Sequence, residues 1–244
     1  MNAIAIIPAR YASTRLPGKP LLDRTGMPLI QHVVQAVTTA ATVRRIVVAT
    51  DDSRIASAVE AFGGDYVMTR DDHTSGTDRL AESAEKLCLE DDDIVVNVQG
   101  DEPEMPGACV DQLVELLADG GCPMATLATP LSYEEADDPN KVKVVLRDDG
   151  RALYFSRSRI PCDRDSGREV GYLLHLGIYA YRVAFLKRYA ALPPTPAEQG
   201  EKLEQLRALE SGFDIIVGVT DYHGRGIDTP DDYEAFVNRY GAQS

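Results

Sequence analysis

The sequence predicts an α/β fold, a Rossmann-like, doubly wound and mostly parallel (mixed) sheet carrying a small antiparallel subdomain. Three observations carry this. Short β-branched runs alternate with amphipathic stretches over the first half of the chain, the pattern of parallel strands joined by crossover helices. Two of the runs, 46–49 and 94–98, are almost continuously apolar, as strands are when helices cover both faces of their sheet. After Met124 the pattern loosens, and runs 142–146 and 152–156 flank Asp148-Asp149-Gly150, where Asp-Gly signals a hairpin.

Taken in order, the first strand is 3–7, and Pro28 opens a helix with apolar Ile30, Val33, Val34 and Val37. The unit recurs as strand 45–49 with helix 53–62, strand 66–69 with helix 77–89, and strand 94–98 with helix 106–117. Beyond the hairpin come strand 176–181, helix 184–190, a break at Pro193-Pro194-Thr195-Pro196, helix 201–209 and strand 215–219. In helix 201–209, Leu203, Leu206 and Leu209 share one side and Glu204 and Gln205 face elsewhere. Pro230 opens a last helix through Tyr240. With 244 residues and 44% hydrophobic content, one domain over 1–244 is expected.

Composition excludes several classes. A net charge of −14 disfavours sequence-independent nucleic-acid binding, which needs cations spread over a broad face. Only Met1 and Asn2 precede the first apolar run, and Pro8 ends that run far short of the roughly 20 residues that span a bilayer. Cys88, Cys109, Cys122 and Cys162 have no paired spacing, so neither a zinc site nor a disulfide framework is indicated, and a reducing cytoplasm fits. The expected partners are small soluble molecules, with neither nucleic acid nor a membrane among them.

Ligands of open α/β sheets bind beyond the carboxyl ends of the strands, so the loop between Ile7 and Pro28 is the first candidate. Residues 1–30 hold Arg10, Arg15, Lys19 and Arg24 against a single acid, Asp23, in an otherwise acidic chain. Such a local excess of cations suits a polyanion: Arg offers a bidentate fork, Lys a mobile point charge, and Ser13, Thr14 and Gly18 offer hydroxyls or close backbone N–H groups. Lys19 lies between Pro17-Gly18 and Pro20, so this is not a Walker loop. On charge alone, a solvated basic loop remains open.

The run 7–21, Ile-Pro-Ala-Arg-Tyr-Ala-Ser-Thr-Arg-Leu-Pro-Gly-Lys-Pro-Leu, resembles the signature of the 3-deoxy-manno-octulosonate (Kdo) cytidylyltransferase family, also called CMP-Kdo synthetases. The resemblance continues through His73-Thr74-Ser75-Gly76-Thr77-Asp78-Arg79-Leu80, 96–103, 152–157, 175–179, 203–207 and Gly226-Ile227-Asp228-Thr229-Pro230, so it covers nearly the whole chain. It implies the nucleotide-sugar transferase type of sheet. It also implies transfer of CMP from CTP to the anomeric 2-hydroxyl of Kdo, with loss of pyrophosphate, as a step toward lipopolysaccharide. Sialate enzymes usually show a Gly-Gly-Ser-Lys loop where this chain has Tyr11-Ala12-Ser13-Thr14. An amino-Kdo acceptor stays open, as does a nucleotide-binding protein without turnover.

The resemblance also assigns residues. Arg10, Arg15 and Lys19 grip the triphosphate and act in catalysis with Asp101. Asp101 and Asp228 hold Mg2+, the kind of hard cation that needs one or two carboxylates beside substrate phosphates. Taken singly, Asp101 reads equally well as a surface-turn residue and Asp228 as a turn or cap residue. Ala9, Arg70, Ser75, Gly76 and Gln99 complete the CTP set, although Ser75, Gly76 and Thr77 also suit a helix cap. Gln99, Arg157, Arg164, His175, Tyr179, Glu204 and Gln205 form the Kdo set, with Arg157 and Arg164 supplying cations for the sugar carboxylate. Cys162 stands where some relatives carry tryptophan. Residues about 133–212 are expected to bind the sugar and to form a homodimer.

Overall fold

The strand β1 (Ala3–Ala9) alternates no polar face with an apolar one; six of its seven residues are buried, as a strand sandwiched between helix layers requires. In this computed structural model, which describes residues 1–12, 16–73, 75–119, 121–164 and 171–241, β1 pairs in parallel with β2 (Val43–Thr50) on one side and β4 (Ile94–Asn97) on the other. Beyond β2 lies β3 (Asp65–Met68), also parallel. The chain winds outward from β1 to β3 and then crosses back to β4, so the loops after β1 and β4 diverge at a switch point, where a crevice opens.

The other half of the sheet is mixed. β8 (Tyr172–Arg182) is antiparallel to β4 and to β5 (Met124–Leu131), and β9 (Ile215–Val219) is parallel to β5. All strands of the path except β8 therefore run one way, and their carboxyl ends share one edge. β6 (Lys143–Leu146) and β7 (Ala152–Ser156) form the antiparallel hairpin that Asp149-Gly150 signals, and it joins the sheet where Lys143 meets Leu174.

Helices α1 (Leu29–Thr38), α2 (Ser53–Ala61) and α4 (Gly107–Ala118) bury Val33, Val37, Ile55, Val110 and Leu113 against one face. Helices α3 (Gly76–Lys86), α5 (Val183–Ala190) and α7 (Leu206–Glu210) bury Leu80, Leu186 and Leu206 against the other. The last helix, α8 (Pro230–Gly241), sets Tyr233 and Phe236 on Leu29 of α1.

Two expectations need correction. Strand β5 is absent from the sequence reading because its segment, Met-Ala-Thr-Leu-Ala-Thr-Pro-Leu, lacks a β-branched apolar run. It is a strand because β8 and β9 flank it and pair with its backbone, and because its buried Thr126 hydroxyl reaches the Leu176 and Ile178 carbonyl oxygens at 3.1 and 2.8 Å. The expected continuous helix 201–209 is broken. α6 (Pro196–Glu201) ends at Lys202, whose φ of 55° is left-handed, and α7 starts at Leu206. The break turns Leu203, Gln205 and Leu206 inward together.

Candidate active site

Gly18 is the pivot of the loop after β1. Its φ of 67° is accessible to glycine at no steric cost, and its N–H donates to the Tyr11 carbonyl at 3.1 Å, which holds Tyr11 and Gly18 together. The Tyr11 ring lies against Gly18, where a Cβ would stand 3.3 Å from ring carbons. On the Tyr11 ring also lies the Arg54 guanidinium, 3.3 Å from the centroid, itself held by Asp52 at 2.9 and 2.6 Å. Arg15, Ser13 and Thr14 of this loop lie outside the described residues.

Lys19 follows in a single 3-10 turn, Lys19–Leu21. Its ammonium donates to Asp101 Oδ2 at 2.8 Å and to the Ile227 carbonyl at 2.8 Å, and lies 3.5 Å from Asp228 Oδ1. Asp101 comes from the loop after β4 and Asp228 from the turn before α8; the Ile227 N–H donates to the Asp101 carbonyl at 2.9 Å and ties the two together. The two carboxylates thus share one cation, which is the donor set that a magnesium ion takes when substrate phosphates supply the remaining oxygens. Among the described residues there is no cluster of three or more His, Cys, Asp or Glu that would form a closed metal cage.

Glu102 stands directly behind this pair. Burial above all pushes its carboxyl up to about 7; the Tyr222 hydroxyl donating at 3.0 Å opposes the shift, and the Asp101 and Asp228 charges add to it. Close approach of the loops needs Gly100, where a Cβ would sit 2.8 Å from the Pro8 carbonyl oxygen.

A cavity of about 380 Å³ opens at this switch point, lined by Ala9, Arg10, Lys19, Gly76, Gln99 and Asp101 among others. Arg10 is anchored by donating to the His73 carbonyl at 2.7 Å. Ser75 caps α3 in a reciprocal box with Asp78, which leaves Gly76 at the helix start facing the cavity, where free N–H groups and the helix dipole favour an anion. Arg70 is elsewhere: it is exposed, pairs with Asp72 at 3.2 Å, and lines a groove along α3 and α5.

A second cavity, of about 210 Å³, adjoins the first through Gly76 and Gln99. Its other walls include Asn97, Thr77, Tyr179, Tyr181, Glu204 and Gln205. Glu204 and Gln205 arrive there from the non-helical step between α6 and α7. Burial pushes the Glu204 carboxyl up, against the effect of the Thr77 hydroxyl bonded to it. Three buried atoms on this wall, Asn97 Oδ1, Glu204 Oε1 and Gln205 Nε2, have no hydrogen-bond partner, two acceptors and one donor. Two acceptors and one donor can hydrogen-bond hydroxyl groups.

The remaining expected residues stand apart from that wall. His175 packs edge-on to Phe155 and beside Tyr179, and its Nε2 lies 3.1 Å from the Thr126 hydroxyl. Burial lowers its pKa to about 3, so at neutral pH it is an uncharged hydrogen-bonding group. Arg157 is spent on main chain, donating to the Glu201 and Pro139 carbonyls at 2.7 and 2.9 Å. Arg164 is exposed, at the end of a described stretch. Neither guanidinium lines the second cavity. Asn97 and Thr77 are additions; the signal for Asn97 was a lone amide in an otherwise apolar strand.

A family model described as cytidylyltransferase matches residues 4–215. The 3-deoxy-manno-octulosonate cytidylyltransferase of Syntrophobacter fumaroxidans (strain DSM 10017 / MPOB) is 53% identical over 240 residues, covering 97% of this chain and 96% of the relative. Among solved structures, CMP:2-keto-3-deoxy-manno-octonic acid synthetase complexed with CTP superposes with a TM-score of 0.94 at 45% identity, over 100% of both chains. The 4-diphosphocytidyl-2C-methyl-D-erythritol synthase, at 14% identity and a TM-score of 0.65 over 97% of both chains, shares the fold.

Proposed function

We infer the activity from membership and site together: this chain belongs to the cytidylyltransferase family. It is a nucleotidyltransferase that moves CMP from CTP to the anomeric 2-hydroxyl of Kdo, giving CMP-Kdo and pyrophosphate. The observation that carries the reading is the adjoining pair of cavities, one walled by cations and a helix start, the other by unpartnered hydroxyl-reading atoms, with Gly76 and Gln99 common to both.

In the reaction the hydroxyl oxygen of the sugar bonds to the α-phosphorus as the bond from that phosphorus to the β-phosphate oxygen breaks; pyrophosphate leaves and the hydroxyl proton is released. Arg10, Lys19 and the start of α3 bind the triphosphate and meet the charge that develops on the departing pyrophosphate. The adjoining cavities orient the acceptor oxygen toward the α-phosphorus, so positioning supplies much of the rate. Asp101 and Asp228 are the proposed holders of Mg2+. When bound, that ion neutralises triphosphate charge and stabilises the leaving group. With the substrate present, Lys19 is then free to exchange a carboxylate partner for phosphate.

Among the expected substrate contacts, Ala9, Gly76 and Gln99 are assigned to CTP, and Gln99, Tyr179, Glu204 and Gln205 to the sugar, on the support of their place on the two cavity walls. Ser75 is assigned a capping role beside the nucleotide. A homodimer through the 133–212 subregion is proposed on the exposed apolar side chains of Leu153 and Tyr154 on β7. A cytoplasmic location is proposed on four free thiols and on CTP as substrate. The direct test incubates the protein with CTP, Mg2+ and Kdo and measures pyrophosphate; no release above a control without sugar rejects the reading.

A further inference from the structure

On β4 the sequence Ile-Val-Val-Asn runs into the site, and alternation puts Asn97 on the same face as Val95, toward α3 and the break between α6 and α7. That face is otherwise apolar: Val95 shares its cluster with Leu80, Tyr181 and Leu203. A valine at position 97 would continue it. Instead the chain spends a buried amide there, 4% exposed, fixed between Ile6 of β1 and Tyr179 of β8 in the sheet register.

The amide oxygen has no partner within the protein. An orphaned buried acceptor destabilises the fold, and a fold carries such a cost where a ligand removes it. The same cavity wall holds the two other orphaned atoms, Glu204 Oε1 and Gln205 Nε2. They come from a different part of the chain, so polar groups from two separate segments converge on one volume of about 210 Å³.

We propose that Asn97 is a specificity-determining residue of the acceptor site, its amide oxygen accepting a hydrogen bond from one hydroxyl of the sugar acid. This rests on the cytidylyltransferase reading above. The oxygen is an acceptor only, so it selects a ligand that brings a donor to that wall; a ligand without one there leaves the oxygen buried and unpaired, and a site built to read a hydroxyl rejects such analogues far more strongly than an apolar wall would. Because Asn97 ends β4 on the rigid centre of the sheet, the contact is held in place before the sugar arrives.

The test compares Asn97→Val and Asn97→Ala with the wild-type protein by pyrophosphate release, varying Kdo at saturating CTP and CTP at saturating Kdo, with thermal unfolding of each protein alongside. The expected result is a fall in kcat/KM for Kdo of about 10- to 100-fold in both variants, with KM for CTP within about threefold of wild type. Asn97→Val is expected to match or exceed the wild-type Tm, because it removes an orphaned polar atom and keeps the volume. Three results overturn the proposal: kcat/KM for Kdo within threefold of wild type in both variants; equal losses toward CTP and Kdo; or a Tm depressed in both variants, which marks a structural amide. If the wild-type protein itself releases no pyrophosphate from CTP and Kdo, the reading of the function fails instead.

Discussion

The ammonium of Lys19 donates to Asp101 Oδ2 over 2.8 Å, joining the loop after β1 to the loop after β4 across the switch point of the sheet. Only 14% of the Lys19 side chain is exposed, so the contact is shielded from solvent, and Asp228 stands 3.5 Å away on its other side. This lysine fills the position between two carboxylates that a divalent cation suits. Lys19→Met is therefore expected to lower kcat/KM by about 100- to 1000-fold, as loss of a phosphate-stabilising donor does. Steady-state pyrophosphate assays check this; retention of more than a tenth of wild-type kcat/KM contradicts it.

Asp101→Asn and Asp228→Asn should each raise the Mg2+ concentration needed for half-maximal rate and lower kcat. If the two carboxylates hold one ion, their effects are not additive, and the double variant loses little beyond the worse single one. A Mg2+ titration of the three variants reads this directly. Losses that multiply would assign the two aspartates to separate tasks.

Arg54 lines neither cavity, yet it presses on Tyr11, which also lies against Gly18 at the pivot of the phosphate loop. Arg54→Ala is expected to raise KM for CTP by about two- to fivefold, the scale of one exposed cation–π contact, while KM for Kdo stays within error. Gly18→Ala is expected to cost more, since it strains a residue at φ 67° and crowds the Tyr11 ring. Equal KM values for CTP in Arg54→Ala and wild type would show that the clasp does not reach the nucleotide.

His175 supplies a pH signature. Its pKa in the folded chain is lowered by burial to about 3, whereas an unfolded histidine titrates near 6.5, so the unfolded state takes up the proton first. The stability that the neutral ring contributes is complete above about pH 6.5 and is lost as pH falls toward 3. Between pH 7.5 and 5 the wild-type protein should lose about 1–2 kcal/mol that His175→Gln does not lose. Denaturant unfolding at the two pH values measures it; identical pH slopes for the two proteins contradict the assignment.

Much of the fold was legible because its signals are local. The apolar runs of β2 and β4, the proline at the start of α8 and the Asp149-Gly150 turn each act within a few residues. β5 was not legible, since its pairing partners and the carbonyls that satisfy the Thr126 hydroxyl come from β8, about fifty positions away. The break at Lys202 was hidden for a similar reason: nothing local forbids a helix there, and the left-handed turn is stabilised by burying Leu203, Gln205 and Leu206 at once. At the site, Asp101 and Asp228 were named through the family resemblance, since each alone reads equally well as a turn or cap residue; the structure sets both beside Lys19. For Arg157, charge alone does not reveal that the guanidinium also bonds the Glu201 and Pro139 carbonyls. Asn97 passed unnoticed because one amide in a strand is informative only once it is known to be buried and unpartnered.

The central claim is that the second cavity reads Kdo, and the measurement that tests it most directly is the mass of the product formed when Kdo, amino-Kdo and sialic acid are offered together at equal concentration with CTP and Mg2+. The account predicts that CMP-Kdo forms almost alone and that an equal amount of pyrophosphate appears. A product mass dominated by CMP joined to amino-Kdo or to sialic acid, or pyrophosphate released with no CMP-sugar at all, would contradict it.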